Sequence, residues 1–268
     1  MLYRLHNITF AYNGAPALNN LDLDLSEGRF YGILGPNGSG KTTFLDLLAG
    51  HRVPDRGTIR FKGRDLRSYR KKDLAREIGL VPQDFALSFP FRVEEIVLMG
   101  RYPHLPRFAA PSEQDLALVR QALEQTGTLP FTERYITDLS GGEKQRVVFA
   151  RALAQQTPVL LLDEATSNLD VKFSLQLLQL ARRMNLEEGV TVISVFHDVN
   201  KAAGFCDELL FFKQGELVCN GPTEEVLSGE TLQQVFEVPA KTFFEPYVNA
   251  LQAVFQMSAA SSCAHLEY

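Results

Sequence analysis

Cysteine is scarce in this chain, and so are the patterns that cysteine makes. Cys206, Cys219 and Cys263 are odd in number and fall into no C-x-x-C spacing, and the five histidines are scattered singly. Neither a disulfide framework nor a zinc site is indicated, and a reducing compartment is the simplest setting. Long apolar runs are missing too. No stretch approaches the roughly eighteen residues needed to span a bilayer, and the start, Met1-Leu2-Tyr3-Arg4-Leu5-His6, lacks a signal-peptide core. Work at a membrane is therefore expected to depend on another chain. Positive charge is short as well: 27 Lys and Arg face 32 Asp and Glu, a formal net charge of −5. That balance gives no electrostatic footprint for duplex nucleic acid. What remains is a chain of 268 residues, 45% of them hydrophobic. Such a chain suits one large α/β domain or a core domain with a subdomain.

The most informative stretch is Gly35-Pro36-Asn37-Gly38-Ser39-Gly40-Lys41-Thr42-Thr43. The apolar run Phe30-Tyr31-Gly32-Ile33-Leu34 precedes it and Phe44-Leu45-Asp46-Leu47-Leu48-Ala49 follows. It reads as a buried strand, a glycine-rich turn and the first turn of a helix, the context that the pattern G-x-x-x-x-G-K-[ST] requires. The physical demand is to hold a polyphosphate without burying an equal number of flexible cations. Glycines let successive backbone N–H groups turn inward, and the helix N-terminus adds a partial positive charge. Lys41 would supply a point charge to the outer phosphates, and the Thr42 hydroxyl would reach Mg²⁺.

Ahead of this loop, residues 1 to 34 alternate apolar and polar side chains, most clearly in Leu21-Asp22-Leu23-Asp24-Leu25, and predict short, mainly antiparallel strands. Phe10-Ala11-Tyr12 ends one of them before the turn Asn13-Gly14; on the residues alone, core packing is the default reading of Tyr12. Thr58-Ile59-Arg60-Phe61 is expected as a strand turning at Lys62-Gly63, and the basic run from Arg64 to Lys72 as a solvated helix face. Ile78-Gly79-Leu80-Val81 predicts a second buried strand, with Gln83 at its carboxyl end, where open α/β sheets bind ligands. From Asp84 to about Leu139 helical signals replace strand signals. Ser112 is the expected N-cap of a helix, with Asp115 at its third position and Leu116, Val119 and Leu123 on one face.

Ser140 and Glu143 form a capping box in Leu139-Ser140-Gly141-Gly142-Glu143. Gly141 and Gly142 are costly there, by roughly 1 kcal/mol each relative to alanine. They make more sense where bare backbone N–H groups must approach an anion closely than at an ordinary helix start. Val159-Leu160-Leu161-Leu162 is an apolar strand ending in Asp163-Glu164, where Asp163 would hold Mg²⁺ and Glu164 would sit near an attacking water. After a helix from about Val171 to Asn185, Val190 to Phe196 is one more buried strand, ending in His197-Asp198. Four strands thus end in polar residues at one sheet edge: Gly35, Gln83, Asp163 and His197. A hairpin about Lys213-Gln214-Gly215 and a helix from Thr223 follow. Phe244, Val248, Leu251 and Phe255 fall at helical spacing, and residues 257 to 268 are small and polar, with disorder expected.

Taken in order, these elements resemble the ATP-binding subunit of ABC transporters over roughly residues 2 to 238. Tyr12 matches the A-loop aromatic, 35–42 the Walker A loop, Gln83 the Q-loop, 139–143 the L-S-G-G-E signature, 159–164 Walker B, 167–170 the D-loop and His197 the switch histidine. The resemblance implies a P-loop NTPase core with a mainly parallel sheet, an N-terminal antiparallel β-subdomain and a helical subdomain at about 84–155. Residues 239–268 are then an extension of unassigned role. It further implies a head-to-tail dimer of two copies, each ATP lying between the P-loop of one and Ser140, Gly141 and Gly142 of the other. The implied nucleotide contacts are Tyr12, Gly35 to Thr43, Ser140 to Gly142 and Asp163. Thr42, Gln83 and Asp163 are the implied Mg²⁺ residues, partly through water, and Glu164, His197 and Gln83 the catalytic ones. Ala165 stands where many members have proline.

Gly100-Arg101-Tyr102-Pro103-His104 is similar to the G-R-x-P-H element of the branch that imports iron-siderophores, haem and vitamin B12. That implies a metal-chelate importer at the cytoplasmic face of the cell membrane, with two permease subunits and, indirectly, a substrate-binding protein. A soluble ABC ATPase acting on DNA or ribosomes is the first rival, disfavoured by the acidic balance and the lack of a long insertion between Lys41 and Ser140. A non-hydrolysing regulator is the second, disfavoured by the presence of both Glu164 and His197.

Overall fold

The order of apolar residues along the strands decides how this chain layers. The computed structural model describes residues 1–83, 85, 89–107, 109–167 and 169–256. In chain order its elements are β1 (Tyr3–Tyr12), β2 (Ala15–Leu25), β3 (Phe30–Leu34), α1 (Lys41–Leu48), β4 (Arg56–Phe61), β5 (Arg64–Asp65), α2 (Lys71–Glu77), β6 (Ile78–Val81) and α3 (Val93–Leu98). They continue with α4 (Glu113–Gln125), α5 (Gly141–Ala154), β7 (Val159–Leu162), α6 (Val171–Glu188), β8 (Thr191–Val195), α7 (Val199–Phe205), β9 (Glu208–Lys213), β10 (Glu216–Pro222), α8 (Thr223–Val226), α9 (Gly229–Phe236), β11 (Ala240–Glu245) and β12 (Ala250–Phe255).

A four-stranded antiparallel sheet runs β2-β1-β4-β5, and a six-stranded sheet runs β10-β9-β3-β8-β7-β6. In the second, β9, β3, β8, β7 and β6 are mutually parallel and β10 closes one edge antiparallel. Parallel strands are covered on both faces, so they read as continuous apolar runs. Here the two faces feed two cores. Phe30, Leu160, Leu162 and Val192 pack with the helices α3 to α7. Tyr31, Val159, Leu161 and Ile193 pack with α1 and the antiparallel sheet. One residue of register in any of these strands would exchange the two sets.

Between β6 and β7 the chain forms helices, with no strand among the described residues there beyond an isolated bridge from Arg92 to Tyr135. Ser112 caps α4 as expected: its hydroxyl accepts from Asp115 N, and Asp115 Oδ2 accepts from Ser112 N. Residues 100–105 fasten this helical part to the sheet. Arg101, buried, donates to Asp115 Oδ1 at 2.9 Å and to Ala154 O at 2.8 Å. His104 Nε2 lies 2.9 Å from Gln155 O, and Gln155 Nε2 donates in turn to Ala75 O and Ile78 O. Arg76 and Lys72, on α2, donate to Pro103 O and Leu105 O.

Four expectations are corrected. The helical spacing of Phe244, Val248, Leu251 and Phe255 belongs to a hairpin: Phe244 and Leu251 face each other across β11 and β12. Pro246 to Asn249 form its turn, and Asn249 takes φ 51°. Leu116 is 52% exposed, and it is Asp115, Val119, Ala122 and Leu123 that α4 buries. The basic run 64–72 is mostly β5 and a short 3-10 turn, with α2 starting only at Lys71. The N-terminal strands are long, 10 and 11 residues for β1 and β2. Residues 257 to 268 lie outside the described residues.

Candidate functional site

The carboxyl ends of β3, β6, β7 and β8 open onto one cleft of about 510 Å³. Tyr12 and Ala15 to Ala17, from the β1–β2 hairpin, wall it on one side; Asn37, Gly38 and Gly40 to Thr43 form its base, and Gln83, Glu164 and His197 its far side. The loop is tight because only glycine fits at Gly40, the N-cap of α1, which takes φ 98°. A Cβ there would sit 2.5 Å from Ala17 O. Lys41 lies folded on its own loop, its Nζ donating to Gly35 O and Pro36 O, each at 2.9 Å. The Thr42 hydroxyl donates to Asp163 Oδ1 at 3.2 Å, joining α1 to the end of β7.

Glu164 is the convergence point. Gln83 Nε2 donates to its Oε2 at 2.5 Å, and His197 Nε2 lies 2.5 Å from the same oxygen. Three strand ends thereby meet on one buried carboxylate. Glu164 itself adopts φ 49°, a left-handed conformation costing roughly 1–2 kcal/mol for a residue with a Cβ, as the chain turns sharply out of β7. Burial, with the charges of Glu164 and Asp46 adding to it, raises Asp163 to about 6, against the Thr42 hydroxyl and Lys41, which lower it. Burial also lowers Lys41, opposed by Glu164 and Asp163.

These residues fit a polyphosphate with Mg²⁺. Ser39 Oγ is buried with no partner among the described residues, an unmet hydroxyl within the loop. Asp163 is raised first by burial and then by the charges of Glu164 and Asp46, and a divalent cation would favour its ionised form. Among the described residues no group of three or more His, Cys, Asp or Glu side chains could hold a metal ion. One hydroxyl and one carboxylate suit Mg²⁺, which keeps waters and substrate phosphates as its remaining ligands.

Of the residues singled out from sequence, Tyr12, Asn37, Gly38, Gly40, Lys41, Thr42, Thr43, Gln83, Glu164 and His197 line the cleft. Gly35, Pro36 and Ser39 sit behind it in the loop, and Asp163 reaches it through Thr42. Tyr12 is 38% exposed, which removes the core-packing alternative. Ser140, Gly141 and Gly142 are not among the lining residues. Ser140 and Gly141 are exposed at the start of α5, where Ser140 and Glu143 make the expected capping box. That helix still touches the cleft's frame, since Gln145 Nε2 donates to Pro82 O beside Gln83. Gln83 is turned to Glu164 rather than to Thr42 or Asp163. In the 167–170 turn, Asp170 caps α6 and Asn168 lies outside the described residues. Ala15, Pro16 and Ala17 were not anticipated; small residues directly after the Asn13-Gly14 turn were the available signal.

Comparison with known proteins places the chain beside one family. The family described as ABC transporter matches residues 18–167. YvrA of Bacillus subtilis, named an uncharacterized ABC transporter ATP-binding protein, is 40% identical over 235 residues, which is 87% of this chain and 53% of YvrA. The chain thus spans about half the length of that relative. The hemin import ATP-binding protein HmuV of Bordetella bronchiseptica is 39% identical over 254 residues, 92% of this chain and 96% of HmuV. A solved structure described as a metal-chelate type ABC transporter in an inward-facing conformation matches with TM-score 0.81 and 31% identity, over 95% of this chain and 96% of that one. With a phosphate loop, an acidic strand end and a polar residue closing each neighbouring strand, and with these relatives, the chain belongs to the ABC transporter family, among its ATP-binding proteins.

Proposed function

We propose that this chain is the ATP-hydrolysing subunit of an importer for a metal-chelate compound, an iron-siderophore, haem or cobalamin. It works in pairs at the cytoplasmic face of the membrane beneath two permease subunits, with a substrate-binding protein delivering the cargo. The observation that carries this reading is the division of the site. Phosphate loop, acidic strand end and the Gln83–Glu164–His197 cluster share one cleft, whereas Ser140 and Gly141 stand exposed outside it. A second copy, placed head to tail, brings that exposed helix start onto the γ-phosphate. The names of HmuV and of the metal-chelate type structure support the cargo class. Among the described residues no helix is long and apolar enough to cross a membrane, and in this reading the permease subunits supply the path.

Tyr12 stacks on the adenine. Loop N–H groups and Lys41, released from Gly35 O and Pro36 O, bind the β- and γ-phosphates. Thr42 and Asp163, with Gln83 through water, would hold Mg²⁺, which when bound would neutralise phosphate charge. Glu164 accepts a hydrogen bond from the attacking water and orients it, a role worth about 10² to 10⁴ in rate. His197 moves from Glu164 Oε2 to the γ-phosphate, which frees that oxygen for the water.

The test is the ATPase rate of the chain reconstituted with its permease, in the presence of iron-siderophore, haem or cobalamin and the matching binding protein. Stimulation by one of the three is expected. No stimulation by any cargo, together with activation by DNA or ribosomes, would overturn the importer reading.

A further inference from the structure

Arg52 has no part in the site as described so far, yet it is seated against it. Its guanidinium carbon lies 4.6 Å from the centroid of the Tyr12 ring and 5.8 Å from that of Phe10. Tyr12 lines the nucleotide cleft, and Arg52 is not among the residues that line it. Phe10 meets Tyr12 edge to face at 5.0 Å with an interplanar angle of 88°, and the Thr43 hydroxyl donates to the Tyr12 hydroxyl at 3.4 Å. The ring is therefore held by a cation, a second ring and a hydroxyl while it still borders the cleft.

The arginine is itself anchored. Its Nε donates to Asp46 Oδ2 at 3.3 Å, and Asp46 belongs to α1, the helix that begins at Lys41. The backbone N–H groups of His51 and Arg52 both donate to Asp46 O, at 3.0 and 3.4 Å. A few residues on, Asp55 N donates to Thr9 O at 2.9 Å and Asp55 Oδ2 accepts from Ala11 N at 2.8 Å. The loop after α1 is thus stitched to β1 immediately before Tyr12. A continuous set of contacts runs from the phosphate-binding helix, through Asp46 and Arg52, to the aromatic ring.

We infer that Arg52 is a positioning residue for base recognition: its guanidinium backs the Tyr12 ring, fixes it as a shelf for the purine of the nucleotide, and through Asp46 sets that shelf at a constant distance from the phosphate loop. The inference rests on the reading of Tyr12 as the base-stacking residue. A cation over one face of an aromatic ring is attracted to its negative quadrupole and holds the ring in place. It also makes the opposite face a better partner for an electron-rich base. Pairing with Asp46 directs Arg52 to the ring rather than to phosphate.

The test is a double-mutant cycle on ADP affinity, measured by titration calorimetry with Mg²⁺ on the full chain. The variants are Arg52→Gln, Arg52→Lys, Tyr12→Ala and the Arg52→Gln, Tyr12→Ala double. Arg52→Gln is expected to weaken ADP about two- to fivefold, the range of a partly exposed cation–π contact. Arg52→Lys restores most of that loss, Tyr12→Ala weakens ADP about tenfold or more, and the double variant binds as Tyr12→Ala does. Unchanged affinity in Arg52→Gln with a weakened Tyr12→Ala overturns the role of Arg52 and leaves the Tyr12 reading standing. Equal losses from Arg52→Gln in both backgrounds also overturn it, because the arginine then acts without the ring. A lysine variant as weak as the glutamine variant removes the cation–π basis. Unchanged affinity in Tyr12→Ala removes the reading of Tyr12 and this inference with it.

Discussion

Replacing Asp163 by asparagine is expected to make the nucleotide-free protein more stable while destroying its use of Mg²⁺. In the folded chain the carboxyl of Asp163 is raised from 3.8 to about 6, first by burial and then by the charges of Glu164 and Asp46. A shift of that size corresponds to at most about 3 kcal/mol at 1.36 kcal/mol per pH unit, and screening in an open cleft reduces it to about 1–3 kcal/mol. Between pH 3.8 and 6 the unfolded chain has released the proton while the folded chain still holds it. Wild-type stability therefore falls as pH rises through that window, and the deficit is complete above about pH 6. Asparagine has no such titration, and its Oδ1 can still accept from the Thr42 hydroxyl. Urea unfolding with a chelator present should show Asp163→Asn ahead of wild type by about 1–3 kcal/mol at pH 7.5, with the advantage shrinking towards pH 4.5. Calorimetry should show that Mg²⁺ tightens ATP binding to wild type and not to the variant. A variant no more stable than wild type at pH 7.5, or an advantage that does not shrink at lower pH, would refute the reasoning.

Three further outcomes are expected. Glu164→Gln should bind ATP as wild type does and turn it over at least about 10²-fold more slowly in a phosphate-release assay; normal hydrolysis would remove Glu164 from its role. Gly100→Ala places a Cβ 2.2 Å from Arg151 O, on the backbone of α5. It should lower stability by about 1–3 kcal/mol in urea unfolding, and an unchanged midpoint would contradict that close approach. Asn200 Oδ1 accepts from Ala253 N at 2.7 Å and its Nδ2 donates to Ala253 O at 3.2 Å. Asn200→Ala should therefore speed amide exchange in β11 and β12 about tenfold or more, about 1.4 kcal/mol of local stability, and leave α6 unchanged.

The strand ends were legible because fully apolar parallel strands announce themselves, and a polar residue directly after one can only stand at the sheet's edge. Gln83, Asp163 and His197 were placed that way, and the Gly35 to Thr43 loop by pattern and flank together. For Tyr12 the residues alone favoured core packing, which its exposure overturns, since an aromatic at a strand end packs inward or outward according to what crosses it. Arg52 was invisible for a related reason: its importance lies in contacts between α1 and β1, which only the fold brings together. The C-terminal hairpin was misread because four apolar residues at a spacing of three to four fit a helix as well as two strands joined by a turn. Pro246 and Asn249 carried the deciding information, and Tyr247, 94% exposed at that turn, shows where the chain reverses.

The joint at residues 100–105 bears on how the helical part and the sheet move together. Arg101 and His104 direct their hydrogen bonds inward, to Asp115, Ala154 and Gln155. Residues 100–105 therefore act as a rivet inside the chain: a displacement of α3 and α4 is handed on to α5 and β6 through Ala154, Gln155 and Ile78 and cannot dissipate in the loop.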